Sequence, residues 1–230
     1  MKILALDSAT AACSVAAWID GKVMAVERAN LPRGQAEALL PMVERVRAAV
    51  GIPFEAFDRC AVTVGPGHFT GLRVGLAAAR GLALAAGRPL IGITTLAAIA
   101  AAVPDDELTT SALVVALDSK RAEPYLQTFH RDRRPATPAV ARLASEYAAE
   151  LLQRDPGGRF LVAGDAGEAL AAELASRGGA VQRSRAAPRP DAAAVAALAA
   201  AAPLPAGFPA PLYIHPVATT TAKTMRRTPA

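Results

Sequence analysis

Cysteine is scarce in this chain of 230 residues, and that scarcity limits the class of protein. Cys13 and Cys60 are the only two cysteines, so a fold held together by several disulfides is excluded. Both cysteines lie in apolar strand patterns, where a thiol is usually unreactive core filler. We therefore expect a reduced, cytoplasmic protein without thiol chemistry.

Long hydrophobic runs are also absent. No window reaches the ~20 uninterrupted apolar residues of a membrane helix, and the alanine-rich stretch 191–202 is too short. The chain enters its first apolar strand directly, without the basic and apolar segments typical of a signal peptide. We expect no membrane association.

Histidine is the third scarce residue. His68, His130 and His215 are far apart in the sequence, whereas a transition-metal site needs several converging ligands. No Ser/His/Asp or Cys/His arrangement is indicated by spacing, which leaves a peptidase as the weakest reading. The sequence therefore predicts no metal site and no catalytic residue.

The charge that is present is mainly arginine. The net charge is +5, and 21 of the 25 basic residues are arginine. A basic surface suits a polyanionic partner such as RNA. The 57 alanines indicate an equally strong compositional bias. The two explanations remain open.

Periodicity predicts an alternating α/β chain. Three short strands (3–6, 13–19 and 22–28) precede a helix over 35–50, and the Asp20-Gly21 pair predicts a hairpin turn. Pro41 predicts either a start of the regular helix near Leu40 or a kink. A strand, a helix over 72–86, another strand and a helix capped by Thr94 follow. This order is typical of a ribonuclease-H-like unit.

A second, weaker cycle of strands and helices follows a polar segment at 104–110. It predicts strands at 113–117, 125–129, 160–163 and 180–182, helices at 144–153, 168–176 and 191–201, and a last short strand or turn at 212–214. We expect a first lobe over 1–103, a smaller α/β lobe over 104–217 and a loose tail over 218–230.

The most specific segment is Gly65-Pro66-Gly67-His68-Phe69-Thr70-Gly71, between a predicted strand and a predicted helix. It is neither a Walker loop, since no Gly-Lys-Ser/Thr follows, nor a dinucleotide fingerprint, since its spacing is GxGxxxG. Thr70 is placed to cap the helix, whose free N–H groups favour an anion. A phosphate site and a tight structural turn both fit the pattern.

At this loop the sequence resembles the TsaB (YeaZ) family. The segment 65–75 is similar to that family's GPGSFTGLRIG signature, with His68 and Val74 as departures. Three further segments match in the same order: ILALDSAT at 3–10, QAEALLPM at 35–42 and GITTL at 92–96. The second half resembles the family more loosely, at 117–125 and at PLYI over 211–214.

The resemblance implies an actin-like ATPase fold of two ribonuclease-H-like lobes, the second one degenerate. It implies a non-catalytic scaffold subunit of the complex that makes threonylcarbamoyladenosine beside the tRNA anticodon. The implied partners are a TsaD-like catalytic subunit, a TsaE-like ATPase and tRNA through the complex, with a homodimer as an option for the chain alone. The HxxxH pair that holds a metal in the catalytic relative has no counterpart here.

In that family the first two helices form the pairing surface. Glycine inside the second helix costs about 1 kcal/mol relative to alanine, and close helix–helix approach is one way to offset this cost; packing on the chain's own sheet is the other. We predict a partner interface of apolar side chains on these helices: Leu39, Met42, Val46, Leu72, Leu76, Ala79 and Leu82.

A vestigial nucleotide site is the second prediction, and ATP or ADP at a lobe or subunit junction is left open. Its residues would be Asp7, Ser8, Gly65, Gly67, Thr70, Gly71 and Asp118. The competing reading, a stand-alone actin-like-fold ATPase or small-molecule kinase, depends on the same residues. For Asp7 the structural alternative is a carboxylate that hydrogen-bonds its own turn.

Basic residues around one predicted hairpin are a candidate for tRNA contact. They are Lys120, Arg121, Arg131, Arg133 and Arg134, with Lys223, Arg226 and Arg227 in the tail. A solvated basic edge explains them equally well.

Overall fold

The computed structural model describes residues 1–109 and 112–215 and contains two five-stranded mixed sheets. The first sheet has the order β3-β2-β1-β4-β5. Its strands are β1 (Lys2–Asp7), β2 (Ala12–Ile19), β3 (Lys22–Asn30), β4 (Arg59–Gly65) and β5 (Leu90–Thr94).

The first three strands form the predicted antiparallel meander. β1 pairs with β2 and β2 with β3, and Asp20 and Gly21 both have positive φ in the turn that joins the last two. β4 and β5 are parallel to β1 because a helix connects each of them to the preceding strand. β1 is therefore central, and its residues from Ile3 onward are buried.

Two long helices cover one face of this sheet. Helix α1 (Gln35–Val50) runs through the exposed Pro41, so the helix does not begin near Leu40. Burial of four apolar side chains, each worth about 1.5–3 kcal/mol, offsets a proline cost of about 3 kcal/mol. These side chains are Leu39, Met42, Val43 and Val46.

Helix α2 (Phe69–Ala86) lies beside α1 on β4. By length and mean hydropathy it meets the criterion for a membrane span over its 18 residues, although only 33% of them are buried. Such helices also occur in protein cores, and α2 contributes Leu76, Ala79 and Ala83 to the core beneath it. Helix α3 (Thr95–Ala101) follows β5, and Thr94 caps it as predicted by accepting from the Ala97 N–H at 3.3 Å.

The second sheet repeats the first in strand order. It reads β8-β7-β6-β9-β10, with β6 and β7 antiparallel and β6, β9 and β10 parallel. Its elements are β6 (Ala112–Leu117), β7 (Tyr125–Phe129), β8 (Val140–Ala141), α4 (Ala144–Arg154), β9 (Arg159–Ala163), α5 (Gly167–Ser176) and β10 (Ala180–Arg183). Because β8 has only two residues, this sheet is a reduced copy of the first. The predicted fold class is confirmed.

The last helix of each half contacts the other half of the molecule. α3 shares a core with β6 and β7 through Leu96 and Ile99, and α6 (Ala192–Ala201) packs on β1 and β2. Helix α6 lies in the residue range predicted for the second lobe, but its strand contacts are with the first sheet. The lobe boundaries remain a prediction, and the tail over 218–230 lies outside the described residues.

Candidate functional site

The glycine-rich loop packs directly on the turn between β1 and β2. The His68 N–H donates to the Ala9 carbonyl, and the Ser8 hydroxyl donates to the Gly71 carbonyl, both at 2.8 Å. A Cβ on Gly67 would meet the Ala9 carbonyl, and one on Gly71 would meet the Ser8 carbonyl. These glycines therefore permit backbone to approach backbone, which is the structural role left open by their pattern.

Gly75 in α2 has the same explanation. A Cβ there would lie 2.5 Å from the Ser8 hydroxyl oxygen. The close approach that this glycine allows is to the chain's own first turn, not to a partner helix. Gly65, at the start of the loop, lies instead against the backbone of Leu212 near the end of the described chain.

Asp7 ends β1 beneath this loop and is fully buried. Its Oδ1 accepts from the Thr63 hydroxyl at 2.6 Å and from the Ala9 N–H at 3.1 Å, so the predicted hydrogen bond to its own turn is confirmed. Its Oδ2 has no hydrogen-bond partner among the described residues. Burial raises the pKa of Asp7 to about 7, because the charged form loses hydration.

Thr70 does not cap α2. The helix begins at Phe69 with His68 as N-cap, and no side chain accepts a hydrogen bond there. Thr70 lies within the first turn, exposed on a groove of about 430 Å³ between the first turns of α1 and α2. The prediction was wrong because the helix starts three residues earlier than the apolar periodicity indicates.

Asp118 directly follows β6, whereas Asp7 is the last residue of β1, and the surroundings of the two acids differ. Its carboxylate accepts from the Lys120 N–H at 2.7 Å and forms an ion pair with the Lys120 ammonium. Its backbone N–H donates to Asp165 at 2.8 Å. Burial alone would raise the pKa of Asp118, but the hydrogen bonds and charge of Lys120 outweigh it and lower the pKa.

His68 connects the loop to this second group of charges. Its pKa is lowered, first by burial and then by the positive charge of Lys120, while Asp118 and Asp165 act in the opposite direction. The loop of the first lobe thus faces the strand ends of the second, as a two-lobed nucleotide cradle would require. The Asp118 carboxylate is already paired with Lys120. Two glycines of the loop are already in contact with the backbone of the first turn. A former nucleotide role for these residues stays a prediction.

The predicted interface side chains lie inside the chain. Six of the seven (Leu39, Met42, Val46, Leu72, Leu76 and Ala79) are at most 3% exposed, and Leu82 is partly buried against the same core. They do not supply the uncovered apolar area that the sequence analysis expected, because they fill the space between the helices and the sheet. A partner interface on these helices stays a prediction.

Other residues of the same two helices are exposed. Leu40 of α1 is 51% exposed and Leu84 of α2 is 72% exposed. Gly81 is exposed in the interior of α2, and a Cβ there would meet nothing within 4 Å. Contacts within the described chain therefore explain Gly75 but not Gly81. Leu40, Gly81 and Leu84 are not among the predicted interface residues, because periodicity alone does not reveal which positions of a helix the chain itself covers.

The basic residues of the predicted hairpin do not form one cluster. Lys120 and Arg121 precede β7, whereas Arg131, Arg133 and Arg134 follow it at the other end of the strand. Arg133 pairs with Asp105, and Arg134 with Asp132. The basic tail residues lie outside the described part of the chain.

Residues 31–196 match the family model described as TsaD: tRNA N6-adenosine threonylcarbamoyltransferase. The chain is 40% identical over 132 residues to the Escherichia coli tRNA threonylcarbamoyladenosine biosynthesis protein TsaB, which covers 57% of this chain and 56% of that protein. The chain belongs to the TsaD-type family, within its TsaB (YeaZ) group. The match spans little more than half the length of the curated TsaB relatives.

Other matches cover more of the chain. An uncharacterised protein of Mycobacterium tuberculosis is 35% identical over 166 residues, covering 70% of this chain and 71% of that protein. A solved Pseudomonas aeruginosa structure, described as similar to the peptidase YeaZ, is 27% identical and covers 93% of this chain and 99% of that one, with a TM-score of 0.76. The YeaZ structure from the same organism gives 0.69 over 87% and 92%. The fold is the actin-like one of this group.

Proposed function

We propose that this chain is a non-catalytic scaffold subunit of the complex that synthesises threonylcarbamoyladenosine in tRNA. In this proposal it works in the cytoplasm, binds a TsaD-like catalytic subunit, and belongs to an assembly with a TsaE-like ATPase and tRNA. Without that partner the same surface joins two copies of this chain. Membership of the TsaB group supports the proposal, since the E. coli relative is named for this biosynthesis.

The observation that carries the scaffold role is the outward face of α1 and α2. Leu40 and Leu84 expose large apolar side chains, and Gly81 leaves a gap in the surface of α2. A glycine in a helix interior costs about 1 kcal/mol relative to alanine. Close approach of a partner helix would offset this cost, as in paired helices whose backbones meet at small residues.

The lack of a catalytic role is supported by the surroundings of the two acids. Asp7 has no exposure to a ligand, and Asp118 is neutralised by Lys120. An Mg-nucleotide would have to displace both arrangements. Calorimetry of the isolated chain with Mg-ATP separates the scaffold from a stand-alone ATPase: tight binding with turnover supports the ATPase, and its absence supports the scaffold.

Co-purification with the organism's own TsaD-like subunit tests the scaffold role. We expect Leu40→Glu and Gly81→Leu to reduce recovery of the complex at least tenfold, because each places a charge or bulk at the proposed contact. Leu76→Glu is uninformative, since Leu76 is buried and a charge there would unfold the lobe.

Leu204→Glu is the matched control, because Leu204 is 64% exposed and lies outside both helices. All variants should melt cooperatively near the temperature of the wild type. Full recovery of the complex with both helix variants would place the partner surface elsewhere on the chain.

A further inference from the structure

Arg73 is held in a fixed position near the N-terminal end of α2. Its guanidinium carbon lies 3.7 Å from the centre of the Phe69 ring, one helical turn away. Its Nε donates to the Tyr213 hydroxyl at 3.1 Å. The Tyr213 ring packs against Phe69 at 5.4 Å between ring centres. We refer to Phe69, Arg73 and Tyr213 as the arginine–aromatic cluster.

The cluster keeps its charge and part of its aromatic surface available. Phe69 is 41% exposed and Arg73 is exposed. Within the described residues, Arg73 forms no ion pair, and its two terminal nitrogens have no hydrogen-bond partner. Lys120, Arg133 and Arg134, in contrast, are each engaged by a carboxylate.

The surroundings of the cluster add positive charge rather than remove it. Phe69 lines the groove of about 430 Å³ together with Arg33, which likewise has no ion pair within 1–109 and 112–215. Glu37 is the single carboxylate that lines this groove. The exposed Phe69 ring therefore shares the groove with the Arg33 guanidinium and has the Arg73 guanidinium stacked on it.

This combination fits a nucleotide better than it fits an acidic peptide. A planar guanidinium with free terminal nitrogens binds a phosphate through two parallel hydrogen bonds. A base stacks on an aromatic ring or on the outer face of a guanidinium. A peptide carboxylate would use the charge alone and leave the stacking surface unused.

We propose that the arginine–aromatic cluster is a contact site for single-stranded RNA, with a phosphate on Arg73 and a base stacked against the Arg73–Phe69 pair. The fixed geometry of Arg73 reduces the entropy lost when the contact forms. The proposal rests on the proposed function only in taking this RNA to be an unpaired part of the tRNA in the complex.

Fluorescence anisotropy of the isolated full-length chain with labelled single-stranded RNA tests the proposal. Arg73→Gln should raise the Kd about tenfold, the range of one lost stacking and phosphate contact. It should also reduce the slope of log Kd against log salt by about 0.7, as for one phosphate of a single strand. Arg73→Lys keeps the charge and loses the planar group, so it should retain the salt slope and still weaken binding.

Arg45→Gln is the control, because Arg45 is an exposed arginine of α1 that pairs with Glu27. Its Kd should match that of the wild type. The melting temperature of each variant is measured. If Arg73→Gln lowers the stability of the chain, the RNA-binding comparison uses Arg73→Lys instead.

Three results would overturn the proposal: no RNA binding by the wild type, equal RNA binding by the wild type and both Arg73 variants, or tighter binding of polyglutamate than of RNA. None of them depends on the catalytic subunit. Loss of the RNA contact with the complex intact is therefore distinct from failure of the scaffold role.

Discussion

At the scale of single residues, Asp7 has the most consequential environment. Its carboxyl group is enclosed under the first turn with one oxygen hydrogen-bonded and the other without a partner in the described chain. Burial favours the protonated form of this carboxyl group. At Asp118, which directly follows β6, partial burial raises the carboxyl pKa, but the hydrogen bonds and charge of Lys120 outweigh this effect and lower it. The position of a carboxyl group at a strand end therefore does not by itself determine the direction in which its pKa shifts.

The raised pKa of Asp7 has a consequence for stability. The unfolded chain ionises this group near its ordinary pKa of 3.8, and the folded chain only near 7. Between these values the folded state binds more protons, so the contribution of Asp7 to stability is complete below about pH 4 and falls as pH rises to about 7. At about 1.4 kcal/mol per pKa unit, the loss is on the order of 4 kcal/mol.

Asp7→Asn should remove this dependence, since an amide keeps the acceptor for Thr63 and does not ionise. We expect the variant to gain stability relative to the wild type as pH rises from 4 to about 7, measured by urea unfolding at several pH values. Asp58→Asn, at an exposed acid, is the control. A constant difference between the Asp7 variant and the wild type across this range would show that Asp7 is not protonated in the folded chain.

At the scale of elements, α2 contains glycines of two kinds. Gly71 and Gly75 face the turn at Ser8, whereas Gly81 faces open space. All three look alike in the sequence. Periodicity and spacing predicted the strands of the first meander, the extent of α1 and the cap at Thr94. They could not show which helix face is covered, because this depends on contacts with Ser8, which lies more than sixty residues earlier.

Gly75→Ala and Gly81→Ala should change stability in opposite directions. At Gly75 the new methyl group collides with Ser8, and we expect a loss of about 1–3 kcal/mol from overpacking. At Gly81 the methyl group meets nothing, so the gain should approach the helix propensity difference of about 1 kcal/mol. Thermal unfolding monitored by circular dichroism measures both. Destabilisation by Gly81→Ala would mean that the chain itself covers this position.

At the scale of the whole molecule, the two halves share one strand order and differ in what surrounds the strand ends. That repetition could be predicted from the sequence, and so could the family. The packing of α3 between the two halves and of α6 on the first sheet could not, because helices with alanine-rich, weakly amphipathic sequences carry little information about which sheet they cover. The burial of the predicted interface residues could not be predicted for a related reason: the most apolar positions of α1 and α2 are those that the chain covers itself.

The central claim is that the outward face of α1 and α2 is where a partner subunit binds. Cysteine labelling measures this directly, because Cys13 and Cys60 are buried and burial raises the pKa of each to about 11, so neither competes for the reagent. Ala77→Cys introduces an exposed thiol on α2, and Ala172→Cys introduces one on α5 of the second lobe. The maleimide reaction rate of each is measured with and without the TsaD-like subunit. We predict at least a tenfold slowing at residue 77 and none at residue 172; an unchanged rate at residue 77 in a complex that has demonstrably formed would contradict the account.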